Sequence, residues 1–390
     1  MVHLFGSPEC EFVDKIAKET FKILNKLSPS EIRGLPGIES HMIQLEKYME
    51  FKETSCVRIV GVLGMAGIGK TTVADCVYKR NYGHFDGYCF LANIHNESKL
   101  HGVDHLQQKL LQKLLDEENL DVGAPEGAHE ALKDRLRNKK LFIVLDDVTN
   151  ETQIRLLIGK ERKELYREGT RIIITTRDKK LLEKVVDETY VVPRLSGREA
   201  LELFCLSAFS SNLCPTAELM DLSNKFVDYS KGLPFALKLL GSDLCQRDKL
   251  YWIRKLERLQ RKPDGKIQEV LKMSYEELCP EEQSIFLDVA CFFRSEKLDF
   301  VSRILSTYHI DAINVISDLI DKCLVTVSDN RLEMHDLLLT MGKEIGYESS
   351  IKEAGKRGRL WDQDDICRVL KYKTVSQNVS FVLTNVILLL

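Results

Sequence analysis

"RIVGVLGMAGIGKTTVADCVYKR", Arg58 to Arg80, opens on apolar, β-branched residues, breaks into glycines, and resumes in a helix-like pattern after a lysine and two threonines. Gly64, Met65, Ala66, Gly67, Ile68, Gly69, Lys70 and Thr71 satisfy GxxxxGK[ST], in the strand-before, helix-after setting that gives the motif its meaning. Glycines let the backbone curl without Cβ clashes, so successive N–H groups and the next helix N-terminus converge on one phosphate. Lys70 brings a mobile positive charge to the outer phosphates, and Thr71 offers its hydroxyl to Mg²⁺. Thr72, next in the helix, is counted with this phosphate-binding set.

From Val57 onward, "VRIVGVLG", "YCFLANI", "LFIVLDDV", "RIIITTR" and "YVV" alternate with amphipathic helical patterns. That alternation predicts an α/β fold, a parallel sheet with helices on both faces. Ligands of such sheets sit at the carboxyl ends of the strands, where two further groups fall. "LFIVLDDV" ends in Asp146 and Asp147: Asp146 would hold Mg²⁺, directly or through water, and Asp147 would orient an attacking water. Two aspartates after a strand also make a common helix N-cap, and only the neighbouring phosphate loop favours the catalytic reading. "GTRIIITTRD" ends in Thr175, Thr176 and Arg177, and an arginine there is placed to sense a terminal phosphate by bidentate hydrogen bonds; a salt-bridged surface arginine is the competing reading.

After Pro193 the strand-like runs stop. "REALELFCLSAF", "LMDLSNKFVDYSKGLPFALKLLGSDL" and "YWIRKLERLQ" have helical periodicity, and beyond Pro263 further helices lead into "CLVTVSDNRLEMHD", two strand-like runs around the turn residues "SDN". The predicted organisation is a linker helix over 1–34 (Phe12, Ile16, Phe21 and Leu24 forming its stripe), a phosphate-loop nucleotide-binding domain over 35–193, a small helical bundle over 194–263, a winged-helix domain over 264–350, and a partly disordered tail over 351–390.

Composition narrows the class. A chain of 390 residues with 44% hydrophobic content can bury a core in each of two or three domains, and 56 basic against 59 acidic residues leave no overall field to recruit nucleic acid or an anionic membrane. Eleven cysteines with no CxxC pair read as reduced thiols of a cytoplasmic or nuclear protein. His101 and His105 lack companion ligands and read as a solvated turn and helix start rather than a zinc site. The terminal "FVLTNVILLL" is too short to cross a bilayer, so no membrane partner is expected.

"GMAGIGKTT", "LFIVLDDV", "GTRIIITTRD", "GLPFAL", "FLDVACFF" and "MHD", in this order, resemble the NB-ARC nucleotide-binding module of plant intracellular immune receptors. "FLDVACFF", and the lack of Trp after "LDDV", resemble the subclass carrying a TIR domain, although neither a TIR-like segment nor a leucine-rich repeat is expected within this chain. The resemblance implies that Pro234 lies against the adenine and that His335 reaches the β-phosphate of ADP with Asp336 steadying it. It also implies that "PGIES", Pro36 to Ser40, passes the base, with Ile38 contributing backbone only. The implied activity is a defence switch, closed with ADP and open with ATP, with hydrolysis acting as a slow reset and opening leading to self-association or to contact with other immune receptors.

Two other readings compete. A conventional ATPase driving remodelling needs an arginine finger for a neighbouring site, and none is assignable. A winged-helix DNA-binding regulator needs a basic recognition helix, yet "DAINVISDLIDKCLVTV" sets Asp311, Asp318 and Asp321 against Lys322. The basic run "RKLERLQRK", Arg254 to Lys262, reads as a solvated helix face.

Overall fold

In the computed structural model of the chain the described residues are 35–117, 135–159, 166–209 and 216–348, with Arg359, Cys367 and Lys371. The predicted linker helix over 1–34 and nearly all of the predicted tail lie outside them. The chain forms two units, one of Met1–Gly64 with Ile68–Pro193 and one of Met65–Gly67 with Arg194–Leu390.

The first unit runs α1 (Ile38–Met49), β1 (Arg58–Leu63), α2 (Lys70–Asn81), β2 (Gly87–Leu91), α3 (Ile94–His101), α4 (Val103–Leu115), β3 (Leu141–Val148), α5 (Glu151–Ile158), β4 (Arg171–Thr176), α6 (Lys180–Glu183) and β5 (Glu188–Val191). All pairings are parallel, in the order β2-β3-β4-β1-β5. The chain therefore leaves β1 for the far edge, returns through β3 and β4, and passes over β1 to reach β5. β4 is buried along its whole length and β3 nearly so, as their unbroken apolar runs demand of a sheet covered on both faces. Leu63, Val148 and Thr176 share one level at the carboxyl ends of the central strands.

The far end of the sheet is stapled by a feature that local pattern conceals. Arg171, the first residue of β4, is 1% exposed. Its Nη1 donates to the carbonyls of Cys56 (2.9 Å) and Thr170 (3.0 Å), and its Nη2 to those of Glu50 (2.6 Å) and Glu53. One guanidinium thus satisfies the backbone of the loop joining α1 to β1.

The second unit begins with α7 (Gly197–Ala208), α8 (Ala217–Ser230), α9 (Pro234–Leu244) and α10 (Lys249–Arg261). Ser196 and Glu199 form a capping box at the start of α7. Buried Trp252 meets Phe204 and Phe226 edge-on, each with ring centroids 5.9 Å away, and donates its Nε1–H to the Leu244 carbonyl. The "KGLP" break is a short link, Lys231–Leu233, with Pro234 opening α9 in the first-turn position that suits a residue without an N–H. Not all of the basic run on α10 is solvated. Lys255 is turned inward between Asp243 (2.8 Å) and Asp264 (3.0 Å), whereas Arg254, Arg258 and Arg261 are exposed.

The unit continues through α11 (Gly265–Glu276), α12 (Pro280–Asp288), a π turn (Val289–Phe293), α13 (Leu298–Leu305), α14 (Ala312–Asp321), β6 (Thr326–Ser328), β7 (Arg331–Glu333) and α15 (Asp336–Glu348). β6 and β7 form an antiparallel hairpin closed by Asp329 and Asn330, both at positive φ (50° and 59°). A two-residue loop of that hand matches strand twist, and Asp and Asn tolerate it. Helices followed by this hairpin make the winged-helix arrangement.

Candidate functional site

Three positive-φ glycines shape the phosphate loop, Gly64 (φ 159°), Gly67 (φ 76°) and Gly69 (φ 102°), the last capping α2. Lys70 is folded back over the loop, 8% exposed, with Nζ donating to the Gly64 carbonyl at 2.9 Å. Met65, Ala66 and Gly67 are half-buried and Ile68 is buried, so the loop wall is apolar and its polar face is main-chain. In the second unit, the Phe235 N–H donates to the Gly67 carbonyl at 3.2 Å, and a Cβ on Gly67 would come within 2.9 Å of Phe235 Cβ. The residue after Pro234 is thus bonded to the loop tip.

At the carboxyl end of β3 the two aspartates diverge. Asp146 is 4% exposed and its Oδ1 accepts hydroxyl protons from Thr71 (2.8 Å) and Thr175 (2.7 Å), while the Asn93 N–H approaches Oδ2 at 3.4 Å. The β3–β4 register shifts between Leu145 and Val148, and Asp147 within that bulge has φ 58°. Its N–H donates to Thr175 Oγ1 at 2.9 Å, and its Oδ1 lies 3.3 Å from Nη2 of Arg177. Thr175 therefore serves both aspartates, accepting from one and donating to the other. The signal for this role in the sequence is the pair of threonines, Thr175 and Thr176, closing an otherwise apolar central strand.

A hydroxyl and a carboxylate in contact, Thr71 and Asp146, form the all-oxygen donor set of a hard cation such as Mg²⁺. Among the described residues no group of three or more His, Cys, Asp and Glu gathers as a metal cage. Mg²⁺ held by one carboxylate, one hydroxyl and a nucleotide's own phosphates suits that set; such an ion supplies charge neutralisation at the phosphates.

His335, just before α15, is 8% exposed. The Leu337 N–H donates to its Nδ1 at 3.2 Å, which puts the ring proton on Nε2. Nε2 is buried with no hydrogen-bond partner in bonding geometry among the described residues, so the ring holds a donor ready for an acceptor from elsewhere. Burial first, then Arg194, pushes the ring's pKa down to about 4, against the opposing pull of Asp336 and the Lys231 backbone. Asp336 pairs with Arg294 through Oδ1 and with Lys231 through Oδ2 at 3.7 Å, linking "MHD" to the residue that begins "KGLPFAL". Neither cation was singled out from the sequence.

Because the folded ring resists protonation, its stability contribution is complete above the ordinary histidine pKa of 6.5 and is lost as pH falls toward 4. From pH 6.5 to about 5 the nucleotide-free chain should lose on the order of 2 kcal/mol from this ring, at about 1.4 kcal/mol per pH unit. Urea midpoints across that range, compared with His335→Gln, measure it; parallel slopes in the two proteins would refute it. A second expectation concerns Asp336→Val, which removes both ion pairs. These are half-exposed and together contribute about 1 kcal/mol, so limited proteolysis should cut the variant a few-fold faster around 231–236 and 294–336.

The NB-ARC domain model matches residues 39–214, and the model described as "Disease resistance protein Roq1-like, winged-helix domain" matches residues 280–350. The chain is a member of the NB-ARC family. It is similar to "Disease resistance protein RPP2B" of Arabidopsis thaliana, 57% identical over 97% of this chain and 31% of that protein, and to "Disease resistance-like protein DSC1" of the same plant, 49% identical over 95% and 31%. "Disease resistance protein RUN1" of Vitis rotundifolia is 42% identical over 88% of this chain and 26% of its own length. The chain spans about a third or less of the curated relatives it matches.

Among solved structures, "The walker-type atpase paby2304 of pyrococcus abyssi" covers 78% of this chain and 95% of its own, with a TM-score of 0.53 at 12% identity. That likeness concerns the fold alone. The α/β nucleotide-binding fold with a winged helix is thereby shown for this NB-ARC chain.

The remaining sequence readings have definite places. Ile38 is buried at the start of α1, and its N–H is committed to the Leu35 carbonyl at 3.1 Å. His101 and His105 are both exposed, with ring centroids 5.3 Å apart. Asp311 is exposed and Asp318 and Asp321 half-buried on and beside α14, an acidic helix poorly matched to DNA. No helix among the described residues is long and apolar enough to cross a membrane.

Proposed function

We propose that this chain is the adenine-nucleotide switch of a plant disease-resistance receptor, closed with ADP and open with ATP. The carrying observation is the Phe235 N–H bonded to the Gly67 carbonyl. The helix begun by Pro234 thereby holds the phosphate-loop tip, an arrangement suited to passing nucleotide state into the helical and winged-helix parts. In the same unit, the Nε2–H of buried His335, which makes no hydrogen bond of good geometry and is drawn only weakly by the Lys231 backbone, is a donor fit for the β-phosphate of ADP. Lys70, Thr71 and Thr72 take the phosphates with the loop N–H groups, Asp146 and Thr71 take Mg²⁺, and Pro234 lies against the base. Asp146 and Asp147 support slow hydrolysis as a reset. The chain is read as five parts, 1–34, 35–193, 194–263, 264–350 and 351–390, working in the cytoplasm or nucleus. Opening would lead to self-association or to contact with other immune receptors.

The test is the nucleotide released on denaturing the purified chain. About one ADP per chain, with turnover slower than about one per minute, fits a switch; turnover near the 10 per second of a median enzyme would move the reading to a working ATPase. DNA mobility unchanged by the chain across a salt series fits the acidic α14, whereas a salt-sensitive shift would favour the DNA-binding reading.

A further inference from the structure

Asp147 and Arg177 read from the sequence as separate tools, one for water and one for the terminal phosphate, but the structure joins them. The Asp147 Oδ1 to Arg177 Nη2 separation is 3.3 Å, with side chains 26% and 13% exposed. The backbone is built to hold this arrangement. The β3 bulge places Asp147 in a left-handed conformation, and the Thr175 hydroxyl accepts its N–H at 2.9 Å. Such a conformation is costly for most residues, and aspartate is among the few side chains that tolerate it. The adjacent carboxylate of Asp146 is held by Thr71 and Thr175, so of the pair it is Asp147 whose bulge aims it at the arginine.

We propose that Asp147 is a specificity-determining residue that sets the discrimination between ATP and ADP, by occupying with its carboxylate the guanidinium that a γ-phosphate would take. This inference rests on the nucleotide reading above and adds a role to the water-orienting one. ADP, which has no terminal phosphate to present, binds with the pair intact. ATP must displace an internal anion to engage Arg177. A γ-phosphate carries more charge than a carboxylate and offers a bidentate edge to the guanidinium fork, so it wins the exchange but binds more weakly than it would to an uncommitted arginine. The pair is an internal threshold against ATP.

The experiment measures equilibrium binding of ADP and of a non-hydrolysable ATP analogue, each with Mg²⁺, to the full chain. Asp147→Asn should tighten the analogue about tenfold and move ADP by less than about twofold, the size expected for releasing one partly desolvated ion pair. Asp147→Gly, which suits the positive φ, should do the same and guards against a misfolded variant. In an Arg177→Ala background the tightening should vanish. An unchanged analogue affinity, an equal shift for both nucleotides, or tightening that persists without Arg177 would each overturn the proposal. A change confined to hydrolysis rate would also overturn it, leaving Asp147 with water alone. Failure of the wild-type chain to bind either nucleotide would instead remove the nucleotide reading, and this inference with it.

Discussion

Lys70→Ala should leave the purified chain almost without nucleotide, its ADP affinity lowered about 100-fold, or roughly 2.7 kcal/mol. Lys70 is 8% exposed and its Nζ already rests 2.9 Å from the Gly64 carbonyl, so the ammonium is pre-placed over the loop and reaches a phosphate with little further ordering. A charged donor in such a place contributes about 1.5–3 kcal/mol to each hydrogen bond it makes. Lys70→Arg should fail nearly as badly, because a planar fork cannot occupy the point position of an ammonium inside a curled loop. Nucleotide released by acid and quantified by chromatography gives the content of each variant. Wild-type ADP content in Lys70→Ala would end the phosphate-loop assignment.

The second large effect is on stability and lies at the other end of the sheet. Arg171→Ala should destabilise the first unit by about 3 kcal/mol, the upper end of the cost of leaving backbone acceptors without their donor. The guanidinium serves the carbonyls of Glu50, Glu53, Cys56 and Thr170, and truncation takes the donor from all four, of which the Thr170 bond is the buried one. Burial lowers the pKa of Arg171, the direction desolvation imposes on a cation. Trp252 is buried in the second unit and its fluorescence reports there, so hydrogen exchange of the β1 and β4 amides is the suitable readout. Exchange unchanged from wild type would show that the loop finds other partners.

Legibility in the sequence followed the range of the interactions. The three central strands, β1, β3 and β4, were readable because each is a largely buried run in a covered sheet, and the edge strands β2 and β5, only partly buried, showed as shorter β-branched and aromatic runs. The phosphate loop was readable because glycine spacing and a strand–helix setting are consecutive in the chain. The hairpin at Asp329 and Asn330 announced itself through residues that tolerate positive φ. Lys255 reads as solvated in the sequence because nothing local reveals that Asp243 and Asp264 flank it. Arg171 is silent in the sequence because an arginine opening a strand is ordinarily a surface residue, whereas here it is buried.

The site divides in the same way. Sequence alone determined which residues carry charge at the strand ends, Asp146, Asp147 and Arg177, and that Lys70 and Thr71 begin a helix after a glycine turn, because those facts depend on neighbours in the chain. Only the tertiary structure decided that Asp146 faces Thr71 while Asp147 faces Arg177, that Thr175 serves both, and that Asp336 joins Lys231 to Arg294. Two adjacent carboxylates are interchangeable in sequence. They become different when β4 shifts register against β3 and a bulge turns one of them away, and a register shift belongs to the pairing of two strands rather than to either strand alone.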